Sequence, residues 1–156
     1  MTSLDDVSDG ALTGGALSNG LQDDTSFLLA RANALSVAAG NAALSAHGLR
    51  VRSYSVLALA VGSARPSQRE IAEYLRLDPS QVVALVDQLQ ARGLVRREPD
   101  PVDRRANVVF ATADGQELYK EASASAGAAE AELHRGLTDA EREQLGALLR
   151  RLAFAA

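Results

Sequence analysis

The chain has 156 residues, 47% of them hydrophobic and 23% charged, which suits a single globular domain with a substantial core. It contains no cysteine, so disulfides, thiol catalysis and thiolate metal sites are excluded. No apolar run approaches about 18 residues, and the N-terminus lacks a basic start followed by an apolar core. The sequence therefore predicts no membrane span, no secretory signal and a cytoplasmic location.

The formal net charge of −4 is unevenly distributed along the chain. Residues 50–110 contain ten arginines and seven acidic residues, a net charge of +3, and the rest of the chain carries −7. The guanidinium group suits phosphates and base edges because it donates hydrogen bonds from a planar fork. The distribution favours contact with nucleic acid through the central segment only.

The N-terminal part of the chain divides into a tail and a helix. Residues 1–22 are rich in Gly, Ser, Thr and Asp and show no helical period, which predicts a flexible tail. Asp23-Asp24-Thr25 can then cap a helix over Ser26–Ala46, and acidic residues suit a helix start. Apolar side chains cover nearly its whole circumference, so we expect a partner subunit to bury part of it. His47-Gly48 ends this helix, and a second helix is predicted over Ser53–Val61.

Two further helices are predicted to form a helix-turn-helix. Ser67–Glu70 is a capping box that opens the third helix. After the turn Arg76–Asp78, Pro79 occupies the first position of a fourth helix that runs to about Arg92. Two short capped helices joined by a three-residue turn are typical of this motif, although an ordinary αα-hairpin would give the same pattern.

The fourth helix has two distinct faces. One is apolar at helical spacing: Val82, Leu85, Val86 and Leu89. The opposite face and its borders are small or polar: Ser80, Gln81, Val83, Ala84, Asp87, Gln88 and Ala91. The helix is therefore expected to pack with one face and to present the other.

A β-hairpin is predicted directly after the helix-turn-helix. Leu94-Val95 and Val108–Phe110 are short β-prone runs, and residues 98–107 between them hold two prolines, two aspartates and two arginines. A hairpin in this position is the wing of a winged helix. Its Arg-Arg tip would place cations where a nucleic-acid backbone or minor groove lies.

Two helices complete the chain. Thr112–Gly115 starts a long helix to about Arg135, and Thr138–Glu141 is a second capping box before the last helix. The predicted fold is therefore mainly α with a small β-hairpin wing: a winged helix-turn-helix with N- and C-terminal dimerisation helices.

The wing sequence Asp100-Pro101-Val102-Asp103-Arg104-Arg105-Ala106, followed by Thr112 and Gly115, resembles the multiple antibiotic resistance regulator (MarR) family. The stretch Gln81–Leu89 through Gly93-Leu94-Val95 is similar to that family's recognition helix. The resemblance covers roughly residues 25–154. It implies a homodimer whose two recognition helices enter successive major grooves of a pseudo-palindromic operator, and a transcriptional regulator, with repression expected.

The resemblance also implies a division of the chain. Residues 1–22 would be the tail and residues 23–156 a single domain of this family. Within it, residues 23–50 and 113–156 would form the dimerisation helices, and residues 51–112 would form the DNA-binding lobe.

Arg105 is the predicted minor-groove arginine, because a carboxylate two residues earlier, Asp103, can fix its guanidinium. Arg104 is the alternative and would otherwise meet phosphate. Asp87 has two possible roles: it accepts from a cytosine amine, or it pairs with an arginine of the protein. The other predicted DNA contacts are Ser67, Gln68, Arg69, Ser80, Gln81, Val83, Ala84, Gln88, Arg96 and Arg97. Strand alternation points Arg96 and Arg97 to opposite sides, so we expect one of them to face phosphate.

The family resemblance implies a cleft for a small, frequently aromatic, anionic effector. The residues predicted to line it are Arg31, His47, Arg50, Arg52 and Tyr54, although each also suits an ordinary capping, surface or packing role.

Glu130 and His134 have the spacing of a helical ligand pair, but a solvated helix face is the simpler interpretation, and no metal site and no cofactor are predicted.

Two other classes of function fit the sequence less well. A winged helix that docks a protein without binding DNA fits the acidic net charge, but such a wing needs no Arg-Arg tip. An enzyme is not expected, because the sequence shows no nucleophile–His–acid set, glycine-rich phosphate loop or metal triad.

Overall fold

The structure is a computed structural model that describes residues 20–100 and 106–155. The chain divides into two compact units, Met1–Leu35 and Ser36–Ala156, and each is described by itself. The tail predicted over residues 1–22 lies almost entirely outside the described residues. The last two residues of this tail belong to a short 3-10 turn, Leu21–Asp23.

The elements follow the predicted order. The helices are α1 (Thr25–Leu44), α2 (Val51–Val61), α3 (Gln68–Leu75), α4 (Pro79–Ala91), α5 (Ala113–Leu133) and α6 (Asp139–Ala153). The strands are β1 (Val95–Pro99) and β2 (Asn107–Ala111), and a second 3-10 turn, Ser45–His47, follows α1. The predicted fold class, mainly helical with a hairpin wing, is confirmed.

The first long helix requires a correction to the sequence analysis. Thr25–His47 is a helical stretch of 23 residues that is long and apolar enough to cross a membrane by length and composition. Polar residues such as Arg31 and Asn41 interrupt this stretch, so it contains no unbroken apolar run of the length that the sequence analysis required. Only 6% of its most apolar window is buried within this chain. One helix of this kind is weak evidence for a membrane span, since a helix that packs against protein passes the same test.

Side-chain caps fix where four of the helices begin. The hydroxyls of Ser67 and Thr138 accept hydrogen bonds from the backbone N–H groups three residues later, and Glu70 and Glu141 reciprocate. Both predicted capping boxes are therefore confirmed. Asp78 caps α4 with Pro79 in its first turn, and Thr112 caps α5.

Helix α2 begins two residues earlier than the sequence predicted. The backbone N–H of Val51 donates to Asn41 Oδ1 at 2.9 Å, so a side chain ten residues earlier satisfies a free helix donor. Such a contact depends on how the chain folds back after Gly48, whose φ of 63° ends the preceding turn.

The wing is an antiparallel pair in which Val95 lies opposite Ala111 and Pro99 opposite Asn107. The chain before α3 extends this sheet, because the Pro66 carbonyl accepts from Val109 N–H at 2.9 Å and Ser67 forms a bridge with Val108. The base of the wing is thus attached to the start of the helix-turn-helix.

One hydrophobic core joins α2, α3, α4, the wing and α5. Its buried residues are Leu44, Leu49, Val56, Leu57, Ala60, Ile71, Ala72, Val82, Val86, Leu89, Leu94, Val95, Val109, Ala111 and Ala122. Helix α6 contributes none of them. The core therefore fixes the winged helix-turn-helix on α2 and α5, and leaves the apolar side chains of α6 outside it.

Candidate nucleic-acid interface

Helix α4 packs one face and exposes the other, as its sequence predicted. Val82, Val86 and Leu89 are at most 1% exposed in the core. The predicted base-reading residues lie on the exposed side: Ser80, Gln81, Val83, Ala84 and Gln88. This surface combines hydroxyl and amide groups with two small apolar side chains that suit contact with thymine methyl groups.

Of the two roles that the sequence allowed for Asp87, the structure shows the ion pair with an arginine of the protein. Arg97 Nη2 lies 2.6 Å from Asp87 Oδ1. Asp87 is the one acidic residue within α4. The ion pair therefore neutralises the charge of this carboxylate, which would otherwise repel phosphates from the helix.

The two arginines of β1 have different environments. Arg96 is exposed, whereas Arg97 is half-buried and bonded to side chains of α3 and α4. They occupy opposite faces of the strand, in line with its alternation. An open cleft of about 330 Å³ lies beside them, and the residues that line it are Gln90, Gly93, Val95, Arg96, Arg97 and Thr112.

The start of α3 holds three of the predicted contacts. Ser67 is already used as a cap: its N–H donates to Glu70 Oε2 at 2.7 Å. This backbone hydrogen bond, followed by that of the Ser67 hydroxyl, holds the pKa of Glu70 below its ordinary value. Arg69 is exposed and pairs with Glu73 at 2.8 Å, and Gln68 accepts a hydrogen bond from Arg97. Exposed ion pairs of this kind are weak, so Arg69 can turn to a phosphate at little cost.

The outer face of the wing carries a contact that the sequence analysis missed. The Arg65 guanidinium lies 4.5 Å from the ring centroid of Phe110 and 3.3 Å from a carboxylate oxygen of Glu98. No role was predicted for Arg65 from the sequence. Its place above an aromatic ring of β2 depends on the attachment of the loop to the wing, which no local pattern encodes.

The tip of the wing, residues 101–105, lies outside the described residues, and with it the predictions for Asp103, Arg104 and Arg105. The described residues of the hairpin stop at Asp100 and resume at Ala106, and the Asp100 N–H donates to the Ala106 carbonyl at 2.9 Å. The roles of the three tip residues therefore stay predictions.

The predicted effector residues do not form one described cluster. His47 Nε2 lies 2.9 Å from Ser125 Oγ, and Tyr54 stacks on Tyr119 with ring centroids 5.5 Å apart, so these two face α5. Burial, followed by a hydrogen bond with Tyr119, raises the pKa of Tyr54 to about 12. Arg50 and Arg52 are exposed at the start of α2, and Arg31 is exposed on α1.

The described residues contain no group of three or more His, Asp or Glu side chains that could hold a metal ion. In the possible ligand pair at the end of α5, His134 Nδ1 lies 4.0 Å from Glu130 Oε1.

The chain is similar in sequence and fold to known proteins. Residues 47–106 match the MarR family model. A MarR-family transcriptional regulator from Rhodococcus sp. RHA1 is 44% identical, and the similarity covers 89% of this chain and 99% of that one with a TM-score of 0.84. CouR from Rhodococcus jostii RHA1, solved bound to p-coumaroyl-CoA, is 41% identical over 89% of this chain and 98% of its own, with a TM-score of 0.81.

A mutant of E. coli MarR, solved in complex with operator DNA, is 25% identical over 80% of this chain and 90% of its own, with a TM-score of 0.72. A putative transcriptional regulatory protein for the hcr operon of Thauera aromatica is 30% identical over 99 residues. That match spans 64% of this chain and 60% of the Thauera protein. The chain belongs to the MarR family, a family of transcriptional regulators rather than enzymes.

Proposed function

We propose that this regulator is a homodimeric repressor that binds a pseudo-palindromic DNA operator. Helix α4 would enter the major groove, and the wing tip with Arg105 would reach the adjacent minor groove. Repression would follow from occupation of a promoter. This function requires the compartment that holds the chromosome, which is the cytoplasm.

One observation carries the proposal: the exposed face of α4 has hydrogen-bonding side chains and no unpaired carboxylate. Ser80, Gln81 and Gln88 are exposed there, and Asp87 is neutralised by Arg97. A surface that meets phosphates loses affinity for each unpaired negative charge it carries. The one carboxylate within α4 is thus paired inside the protein.

Exposed cations flank this face. Arg69 at the start of α3 has an 87% exposed side chain, and Arg96 on β1 is also exposed. Both suit contacts with the phosphates on either side of a groove, which position a recognition helix without reading the sequence.

Dimerisation is supported by apolar side chains that the chain leaves exposed. On α6 they are Leu148, Leu149 and Leu152, which are 41–65% exposed. On α1 they are Leu28, Leu29, Leu35 and Val37. We propose residues 23–50 and 113–156 as the dimerisation helices and residues 51–112 as the DNA-binding lobe, because exposed leucines at this density indicate a protein interface.

We also propose an aromatic anionic effector, for which CouR supplies the model compound. The support is the 41% identity to CouR and the aromatic pair Tyr54–Tyr119 beside His47. Isothermal calorimetry should detect binding of p-coumaroyl-CoA, with coenzyme A alone as the control for the aromatic part. Equal binding of the two compounds would argue against an aromatic site.

The DNA-binding function is tested by gel shift with the intergenic DNA beside the gene of this protein, with nonspecific duplex as competitor. We expect a competition-resistant shift that weakens steeply with salt, because phosphate neutralisation releases counterions. A coding-sequence fragment of equal length is the control. Absence of a shift at low salt would favour the other candidate function, a winged helix that docks a protein.

A further inference from the structure

Arg97 connects three elements of the winged helix through one guanidinium group. From β1, its Nε donates to Gln68 Oε1 of α3 at 2.5 Å. Its Nη1 donates to Gln90 Oε1 of α4 at 2.9 Å, and its Nη2 donates to Asp87 Oδ1 of α4 at 2.6 Å. The side chain is only 20% exposed, so solvent screens these bonds less than those of a surface arginine.

We propose that Arg97 is a positioning residue for operator recognition rather than a phosphate contact. Its planar fork holds the base of the wing against both helices, and so fixes the angle between α4 and the wing. This inference rests on the proposed DNA-binding function. It assigns Arg97 a share in specificity, since operator selection needs α4 and both wings in their grooves at the same time.

The same contact orients the amide of Gln68. Its Oε1 accepts from Arg97, so the NH2 group is left to donate to another acceptor. At the first position of α3, such a donor suits a phosphate oxygen beside the helix N-terminus. Arg97 thereby acts on DNA through Gln68 without reaching it.

Arg96 provides a matched control on the neighbouring position of the same strand. Its side chain is exposed, and within residues 20–100 and 106–155 the guanidinium makes no hydrogen bond or ion pair. Removal of a phosphate-contacting cation weakens all DNA sequences alike and reduces the slope of log affinity against log salt by about 1 per contact. Removal of a positioning residue lowers operator affinity more than nonspecific affinity.

The test measures the affinity of the full chain and of its Arg96→Gln and Arg97→Gln variants for operator and for nonspecific duplex across a salt series. We expect Arg97→Gln to lose about tenfold in operator affinity and less in nonspecific affinity, where the loss comes from the Asp87 carboxylate that it leaves unpaired. Arg96→Gln should weaken both duplexes and lower the slope. Equal weakening on both duplexes when Asp87→Asn is combined with Arg97→Gln, which leaves no unpaired carboxylate, would show a phosphate contact and overturn the proposal.

Two further variants separate positioning from loss of charge or of folding. Arg97→Lys keeps the charge but lacks the fork, so it should lose operator selectivity as Arg97→Gln does. Full selectivity in a folded Arg97→Lys protein would overturn the proposal. Asp87→Asn combined with Arg97→Gln should lose no more than the worse single variant, because both act through one contact. If the unaltered protein does not select the operator, the DNA-binding function itself fails.

Discussion

Gly115 packs directly against the main chain of Leu94. A Cβ placed on Gly115 would lie 2.0 Å from the Leu94 carbonyl oxygen, and the same carbonyl accepts from Thr112 N–H at 3.0 Å. The first turn of α5 therefore touches the backbone at the base of the wing. Glycine is required here for space, because the neighbour is backbone and cannot rotate away.

Gly115→Ala should lower the free energy of unfolding by about 3 kcal/mol, since the clash must separate α5 from the wing. Urea denaturation followed by circular dichroism measures this. Gln116→Ala, at the exposed neighbouring position, should change stability by less than about 0.5 kcal/mol. A Gly115→Ala protein as stable as the parent would show that the two segments do not pack this closely.

The capping box of α3 should make stability depend on pH. Since the Ser67 hydrogen bonds hold the pKa of Glu70 lower in the folded than in the unfolded chain, their contribution is complete above the unfolded value of 4.5. It is lost as the pH falls through the folded pKa. Ser67→Ala should cost about 1 kcal/mol at neutral pH and less in acid.

Urea denaturation of Ser67→Ala at pH 7 and in the acid range checks this, with Ser63→Ala in the preceding exposed loop as the control. A cost that is the same at both pH values would mean that the hydrogen bond from the Ser67 hydroxyl to the Glu70 carboxylate does not contribute to stability.

Local patterns predicted most of the fold, because each depends on residues close in sequence. The boxes at Ser67 and Thr138, the Asp78-Pro79 start of α4 and the two faces of that helix follow from spacing alone. The hairpin was also predicted, although its strands extend further than the β-prone runs: the pairing continues from Val95 with Ala111 to Pro99 with Asn107.

Contacts between distant residues were not predictable in the same way. The sequence left Asp87 with two roles, because an arginine partner ten residues away on a strand depends on the angle between that strand and α4. The contact of Arg65 with Phe110 joins a loop to β2 and was missed for the same reason. The apolar pattern of α1 likewise did not show what packs against that helix.

The exposed leucines of α6 lead to a prediction about assembly. Leu152 is 65% exposed in the single chain, so Leu152→Glu should place a charge in the proposed dimer interface and dissociate it. Light scattering at micromolar concentration should give about 33 kDa, double the chain mass of 16.4 kDa, for the parent protein. Gln144→Glu adds the same charge at an exposed polar position and should remain dimeric. A dimeric Leu152→Glu protein would exclude Leu152 from the interface.

Arg105→Ala should weaken operator binding by about 1–3 kcal/mol and leave the dimer intact. The physical reason is that the narrow minor groove of AT-rich DNA has a stronger negative potential, which favours an inserted arginine. The measurement is a gel shift with two operator versions, one with AT-rich and one with GC-rich flanks. The parent protein should prefer the AT-rich version, and Arg105→Ala should bind both alike. If the variant keeps the preference, another residue of the wing reads the minor groove, and Arg104→Ala is the next variant to measure.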